Sequence, residues 1–302
     1  RSDKEAKSKF NAATLNIGPK DYQTYLDIAH AYTFAPKPDF DLALEFVNKA
    51  LFVNLETPEP HIARGDIYFA EKRFVDARRV YYETSKRFPN SHLPKMKLAD
   101  VLRAGNEFED AIKVYDTIVS KDPAYVDVYK QLALTHADYA RFKDDKALLQ
   151  PGVENYFKYH GMIGESMDVD NELAAYLIKN KDYKALGDLV RTKWYTRGDN
   201  FFMYRYRAIA DFQNGKFLDA KENINMYFDV QDKKDQLLPI DYLYKGLSEL
   251  EASRKEDGTF NEAVYKKSID EMAKAVKENP KLGVALHELG MDLFEDEHFE
   301  QA

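Results

Sequence analysis

The sequence has no cysteine, and this absence excludes disulfide bonds, thiolate catalysis and cysteine-ligated zinc. It has no apolar run of about 18 residues or more, so no segment is predicted to cross a membrane as a helix. Basic residues are in the minority, since 44 Lys and Arg stand against 52 Asp and Glu. The resulting net charge of −8 argues against general nucleic-acid binding, which depends on neutralising phosphates.

The residues that are present are those of a folded protein. Hydrophobic residues make up 44% of the 302 positions and charged residues 32%, a balance typical of globular chains. Aromatic residues reach 14%, and nearly all of them are Tyr or Phe, with a single Trp. Large rings fill the grooves between packed helices and also supply contact area at binding surfaces. The composition therefore suits a helical protein with room for a binding surface.

A repeated pattern is bounded by Pro89 and Pro123, which are 34 residues apart. Between them lie Ala99, then Ala111 after 12 residues, then Tyr115 after a further four. Two helices approach to about 8–10 Å only where the side chains at their crossing are small, and larger side chains then fill the flanking grooves. The pattern therefore predicts a pair of helices that pack against each other at two small residues.

The same pattern recurs along the chain. Its first small residues are Ala29, Gly65, Ala99, Ala133, Ala174, Ala208, Gly246 and Gly290. Successive members of this series are between 34 and 44 residues apart, and the longer gaps predict insertions near 139–151, 231–238 and 251–262. A recurring period of this length indicates a solenoid of helical hairpins, an architecture that commonly holds partner proteins.

These positions resemble the tetratricopeptide repeat (TPR) family. The copies around Gly65, Ala99 and Ala208 match the family pattern most closely, whereas Arg64 and Arg207 stand where the family usually has a large apolar residue. The resemblance implies an all-α fold, a right-handed α–α superhelix of antiparallel helical hairpins. Hairpin repeats of the HEAT or Sel1-like kind are the alternative; against the Sel1-like kind stand the 34-residue period and the proline after the second helix.

Two parts are predicted along the chain. Residues 1–19 are expected to form an amphipathic helix that acts as a cap or a partial repeat. Residues 20–302 are expected to form about seven to eight TPR-like units, the last of them truncated. Because both ends stop within a unit, we expect the chain to be part of a longer protein or a trimmed one. The start at Arg1 instead of Met favours an exported, periplasmic bacterial protein over a cytoplasmic one, although a chain boundary gives the same start.

No arrangement of residues in the sequence indicates catalysis or a cofactor. The segment His287–Met291 begins like a zinc-protease motif but has Met in place of the second His. The segment Asp168–Glu172 begins like a calcium loop but lacks the Gly and the closing Glu that such a loop needs. Acidic residues that open a helix explain it without a metal. We therefore expect no enzyme activity, no cofactor and no metal.

The resemblance also implies where a partner binds, because the first helices of TPR units line a groove that commonly holds peptides. The groove positions expected from the phase of the repeat include Leu26, His30, Ile62, Asp66, Phe69, Met96, Asp100, Arg103 and Lys130. The first four of these replace the carboxylate clamp of chaperone-binding TPRs, so that clamp is absent. A groove of apolar residues with a few charges favours an apolar or amphipathic segment. Burial by neighbouring helices is the alternative for each position.

A second candidate is the aromatic and basic patch 191–207. Its candidate ligand-binding residues are Arg191, Trp194, Tyr195, Arg197, Phe202 and Arg205. Arginines interleaved with rings can bind anions such as a phosphate, a carboxylate or a glycan acid. The alternative, which we favour, is a junction between two hairpins where rings pack and arginine side chains reach towards solvent.

The predicted function is a non-enzymatic scaffold or adaptor that holds a protein or peptide segment in the groove. The alternative function is an envelope-associated module that binds a glycan or a small anionic ligand at the patch 191–207. Neither a nucleic-acid partner nor insertion into a membrane is expected.

Overall fold

The fold is that of a computed structural model of the chain. The residues that it describes are 21–164, 166–192, 202–230, 237–284 and 286–287. Within these ranges the regular secondary structure is helical and there is no strand. The all-α class predicted from the sequence is therefore confirmed. The helix predicted over 1–19 and most of the truncated last unit lie outside the described residues, as does most of the insertion predicted near 231–238.

The chain divides into two compact units, which we call unit 1 (Arg1–Ile163) and unit 2 (Gly164–Ala302). The helices of unit 1 are α1 (Tyr22–Thr33), α2 (Phe40–Val53), α3 (Pro58–Ala70), α4 (Phe74–Arg87), α5 (Leu93–Ala104), α6 (Phe108–Lys121), α7 (Asp127–Lys143) and α8 (Gln150–Ile163), with a 3-10 turn at Lys146–Leu149. The helices of unit 2 are α9 (Met167–Lys179), α10 (Tyr183–Thr192), α11 (Phe202–Gln213), α12 (Phe217–Val230), α13 (Pro239–Glu251) and α14 (Glu262–Glu278).

Consecutive helices pack as hairpins: α1 with α2, α3 with α4, α5 with α6 and α7 with α8 in unit 1, then α9 with α10, α11 with α12 and α13 with α14 in unit 2. We call the odd-numbered members first helices and the even-numbered members second helices. The arrangement of repeated helical hairpins is the one that the spacing of small residues predicts.

Local sequence signals begin several of these helices. Asp21 and Asp39 precede α1 and α2, and their carboxylates accept hydrogen bonds from the backbone N–H groups of Thr24 and Leu42, each at 3.1 Å. Such caps pair donors that a helix otherwise leaves free in its first turn. Helices α3, α5 and α13 have proline in the first turn, where the missing N–H costs nothing. These capping residues and prolines mark in the sequence where the five helices begin.

The small residues of the repeat lie where the two helices of each hairpin cross. The alanines at these positions, none of them more than 1% exposed, are Ala29, Ala43, Ala77, Ala99, Ala111, Ala133, Ala174, Ala208 and Ala220. At Gly65 on α3 there is no room for a side chain, because an added Cβ atom would lie 2.3 Å from Cε1 of Tyr81 on α4. The Tyr81 ring, 1% exposed, occupies the space that a side chain at position 65 would need.

In the described part of the chain, four hairpin turns hold a residue in the left-handed backbone conformation at the same repeat position. These residues are Lys72 (φ 64°), Asn106 (φ 62°), Lys181 (φ 54°) and Gly215 (φ 72°). In each turn the next backbone N–H returns to the first helix; for example, the N–H of Arg73 donates to the carbonyl of Tyr68 at 2.8 Å. The left-handed conformation costs roughly 1–2 kcal/mol for most residues but little for glycine. Three of the four turns nevertheless use another residue, so no glycine motif marks them in the sequence.

One predicted insertion is shorter than expected. The turn predicted near 251–262 is present, since α13 ends at Glu251 and α14 begins at Glu262. In the region predicted as an insertion near 139–151, α7 continues to Lys143, and a residue in the left-handed conformation follows it. The first part of this stretch, up to Lys143, is therefore the solvent-facing side of a helix. Composition alone does not distinguish such a charged helix surface from a turn.

Burial shifts the pKa of two histidines of unit 1, His61 and His136. His61 is 8% exposed, and its ring centroid lies 5.6 Å from that of Phe88. Burial lowers the pKa of His61 and outweighs the opposing hydrogen bond to the Leu55 carbonyl. Burial also lowers the pKa of the half-buried His136. Both rings are therefore held in the neutral form near pH 7.

The close contact at Gly65 gives a first prediction. Gly65→Ala should lower the free energy of unfolding of unit 1 by about 1–3 kcal/mol, because Tyr81 must shift from a packed position. Gly161→Ala, on α8, is the matched control, since no atom lies within 4 Å of its added Cβ. Urea titrations followed by circular dichroism compare the two variants with the unsubstituted protein. Equal stability of the Gly65→Ala variant would show that the crossing tolerates a methyl group.

The buried histidines give a second prediction. In the unfolded chain both protonate as the pH falls below the ordinary value of 6.5, whereas in the folded chain their lowered pKa delays protonation. The unfolded state then binds more protons, so stability should fall as the pH decreases from about 6.5 towards 5. The double variant His61→Gln, His136→Gln should show a flatter dependence of melting temperature on pH. The exposed His30→Gln serves as the control, and an unchanged slope in the double variant would contradict the assignment.

Candidate functional site

The first helices of unit 1 lie beside one another and form a face that we call the first-helix face. Helix α1 contacts α3, and α3 contacts α5. Helix α5 is joined to α7 by a hydrogen bond from Nη1 of Arg103 to Oε1 of Gln131 at 3.1 Å. The groove residues predicted from the sequence all lie on these four helices.

Three of the predicted groove residues are buried in the structure. Leu26, Ile62 and Met96 are 8%, 5% and 6% exposed and belong to the hydrophobic core of unit 1. Their place, three residues before the small residue of each first helix, lies towards the neighbouring helices. The expectation that they are exposed is therefore corrected, and the first-helix face is more polar than the sequence pattern suggests.

The other predicted groove residues keep accessible surface. His30 is exposed, and its ring centroid lies 4.6 Å from that of Phe34. Phe69 is half-buried against Phe74, with 5.4 Å between ring centroids. Lys130 is half-buried, and its Nζ lies 5.2 Å from the centroid of a tyrosine ring on α8. Their contacts with a partner remain a prediction.

Two aspartates of the first-helix face are held by tyrosines from the second helices. The hydroxyl of Tyr81 donates to Oδ1 of Asp66 at 2.5 Å, and the hydroxyl of Tyr115 donates to Oδ1 of Asp100 at 2.6 Å. Both tyrosine rings are at most 1% exposed. Burial first, and then the neighbouring carboxylate, raises the pKa of each tyrosine far above its usual range. The tyrosines therefore stay protonated and hold the carboxylates in place by hydrogen bonds from the second helices.

Charged and polar side chains also connect adjacent first helices. Nζ of Lys97 on α5 lies 2.9 Å from Oδ1 of Asp66 on α3. Arg103 on α5, besides its bond to Gln131, has its Nε 3.8 Å from a carboxylate oxygen of Asp138 on α7. Asp66 is therefore held both by a tyrosine of its own hairpin and by a lysine of the next first helix. Asp66, Asp100 and Arg103 are among the groove residues predicted from the sequence. The hydrogen bonds between aspartate and tyrosine are not predicted, although the 15-residue spacing from Asp to Tyr is their signal in the sequence.

The aromatic and basic patch behaves differently in its described part. Arg205 is 7% exposed, and its Nε and Nη2 each donate to Asp241 at 2.6 Å. Its guanidinium carbon lies 5.2 Å from the ring centroid of Phe202 and 4.8 Å from that of Tyr227. Burial, partly offset by the charge of Arg205, raises the pKa of Tyr227 to about 12. Arg205 is therefore a buried structural residue that joins α11 to α13.

The patch gains no support as an anion-binding site. Arg191, at the end of α10, pairs with the carboxylate of Asp211 on α11. Trp194, Tyr195 and Arg197 lie outside the described residues. Arg191 and Arg205, the two candidate ligand-binding arginines that the structure describes, thus have their charges balanced by carboxylates of the same unit, as expected for a junction between hairpins.

Within the described residues no group of three or more His, Asp or Glu side chains is placed to hold a metal ion. The acidic segment at the start of α9 behaves as a helix opening, since Ser166 caps it by accepting from the N–H of Val169 at 3.3 Å. No helix in the described part of the chain has the length and apolar character needed to span a membrane.

The fold matches solved structures of TPR proteins. The C-terminal part of a TPR repeat-containing protein from Cytophaga hutchinsonii aligns over 87% of this chain and 96% of its own, with 14% identity and a TM-score of 0.58. A TPR protein from Parabacteroides merdae aligns over 83% and 98%, with 14% identity and a TM-score of 0.46. MamA from Desulfovibrio magneticus aligns over 70% and 97%, with 16% identity and a TM-score of 0.41.

No family model and no curated protein sequence matches the chain. The likeness to the Cytophaga hutchinsonii protein is a likeness of fold. The chain therefore has the TPR fold, which the sequence pattern predicts.

The buried pair of Arg205 and Asp241 gives a third prediction. Asp241→Ala should lower the free energy of unfolding of unit 2 by about 3–5 kcal/mol, because it leaves the Arg205 charge buried without a counter-charge. It also removes the hydrogen bond from the N–H of Leu238, 2.7 Å long, that caps α13. The matched control is Glu107→Ala, whose partner Arg78 is about half exposed, and which should cost about 0–1 kcal/mol. Thermal unfolding measures both, and similar losses would contradict the structural role of Arg205.

Proposed function

We propose that this protein is a non-enzymatic scaffold that binds a segment of a partner protein on the first-helix face of unit 1. The observation that carries the proposal is that side chains of the protein itself hold the polar groups of this face in place. Buried tyrosines hold Asp66 and Asp100 at 2.5 and 2.6 Å, and Lys97 pairs with Asp66 at 2.9 Å. A binding surface whose side chains are already ordered loses little conformational entropy when a partner arrives.

The exposed part of the face defines the chemistry of recognition. Because Leu26, Ile62 and Met96 lie in the core, the face offers carboxylates, ammonium and guanidinium groups together with a few partly exposed rings. An amphipathic segment fits this surface better than a wholly apolar one, since its polar side chains can pair with the fixed charges. The charged groups of the face are engaged in structural contacts, which favours a holding role over catalysis.

A pair of triple variants tests the location of the binding face. Both carry the same three kinds of substitution, each to Ala. The face variant is Asp66→Ala, Arg103→Ala, Lys130→Ala, and the control variant on the second helices is Asp110→Ala, Arg79→Ala, Lys113→Ala. Asp110 and Lys113 form an exposed pair at 2.9 Å, so their removal should leave the fold intact.

Peptides selected from a random dodecapeptide display library on the unsubstituted protein are the ligands in this test. The peptides should bind the face variant at least about tenfold more weakly, which corresponds to the loss of a few polar contacts, and should bind the control variant unchanged. Circular dichroism confirms that both variants are folded. Peptides that bind all three proteins equally would place the site elsewhere and refute the proposal.

A further inference from the structure

One carboxylate of the first-helix face lacks the cation that its repeat equivalent has. Asp66 receives the hydroxyl of Tyr81 and pairs with Lys97 at 2.9 Å. Asp100 follows one period of 34 residues later and receives the hydroxyl of Tyr115 at 2.6 Å. Within the described part of the chain, however, Asp100 has no ion pair. Each of the two aspartates accepts a hydrogen bond from a buried tyrosine, but they differ in that Asp66 also has an ion pair.

The place of the missing cation follows from the repeat. The residue one period after Lys97 is Gln131, which carries no charge. The amide of Gln131 is occupied instead by Arg103, which donates to it at 3.1 Å. Arg103 also approaches Asp138 at 3.8 Å, so its guanidinium is directed towards α7 and not towards Asp100. Within the described helix α7, no cation pairs with Asp100 as Lys97 of α5 pairs with Asp66.

The environment of Asp100 makes a cation from outside favourable. Asp100 is half-buried, so part of its hydration is lost and charges interact with it more strongly than in water. Its one hydrogen bond from the protein comes from a neutral hydroxyl, which leaves carboxylate lone pairs available on the exposed side. A hydrogen bond from an ammonium or a guanidinium group is roughly twice as strong as one from a neutral donor.

We propose that Asp100 binds a basic side chain, Lys or Arg, of the partner segment held on the first-helix face. This assignment rests on the proposed function and adds the chemistry of one contact to it. The partner's cation pairs with Asp100 as Lys97 pairs with Asp66. Tyr115 holds the carboxylate in place before the partner arrives, so the contact adds specificity for a basic residue at one position of the segment.

Two substitutions on the full chain test the assignment by independent routes. Asp100→Asn removes the charge while its amide oxygen can still accept from Tyr115. Gln131→Lys leaves Asp100 and Tyr115 unchanged and supplies the missing cation from within the protein, as Lys97 does for Asp66. Asp110→Asn, on the second helix α6, is the matched control, because that carboxylate already has its cation in Lys113 at 2.9 Å and lies off the first-helix face. The probes are dodecapeptides selected from a random display library on the unsubstituted protein, each made again with norleucine in place of its basic residue.

The selected peptides should share a Lys or Arg at one position. They should bind Asp100→Asn and Gln131→Lys about tenfold more weakly than the unsubstituted protein, and Asp110→Asn nearly unchanged. The norleucine peptides should bind the unsubstituted protein as weakly as the original peptides bind the Asp100→Asn variant. The norleucine peptides should lose no further affinity when they are tested on the Asp100→Asn variant. Melting temperatures confirm that each variant is folded, and the Gln131→Lys result stands alone if Asp100→Asn is unstable.

The outcomes separate this inference from the proposed function. Peptides that lose affinity for the face variant but show no shared basic residue, or that bind Asp100→Asn and Gln131→Lys unchanged, would overturn the role of Asp100 and leave the binding face in place. Peptides that bind the face variant as well as the unsubstituted protein would overturn both. Loss of affinity on Asp110→Asn equal to that on Asp100→Asn would also overturn the assignment, since it would reflect the general charge of the protein.

Discussion

The close crossing of the two helices in each hairpin is the constraint on which the rest of the structure depends. At Gly65 a single added carbon would lie 2.3 Å from the ring of Tyr81, so the crossing has no room for a side chain. Because the helices lie this close, a tyrosine on the second helix reaches across to the first helix, and its hydroxyl meets Asp66 at 2.5 Å. The packing inside the hairpin thereby sets the position of a charge on its surface. The same geometry recurs at Ala99, where Tyr115 reaches Asp100.

The two units join their first helices by different means. Unit 1 uses partly exposed groups, such as the pair of Lys97 and Asp66, whose side chains are 34% and 29% exposed. Unit 2 uses the pair of Arg205 and Asp241, whose side chains are 9% and 1% exposed. A partly exposed pair contributes little to stability but stays available to a partner, whereas a buried pair is costly to break and unavailable. This difference supports our proposal that the binding face lies in unit 1.

The sequence predicts the hairpins well because their determinant is local and repeated. Small residues at fixed spacing, such as Ala99 and Ala111, report the helix crossings directly. The burial of Met96 was less predictable, since a residue at the edge of the apolar side of a helix is covered or exposed depending on the neighbouring helix. The role of Arg205 depends on Asp241, which lies 36 residues away. A local count of basic and aromatic residues therefore favours a junction between hairpins but does not reveal that Arg205 is buried in an ion pair.

The left-handed turns have a consequence for how such a chain can change length. Each hairpin closes through its own turn, and Lys72 and Asn106 occupy the same place in two of them, 34 residues apart. Recombination between the turns at Lys72 and Asn106 would remove or add one repeat length, α4 with α5, and would join α3 to α6 in a new hairpin with a small residue on each helix. The neighbours along the face would also change, such as whether an aspartate on one first helix meets a lysine or a glutamine on the next. Gene rearrangement at these turns thus alters charge pairing along the face while each hairpin keeps small residues on both of its helices.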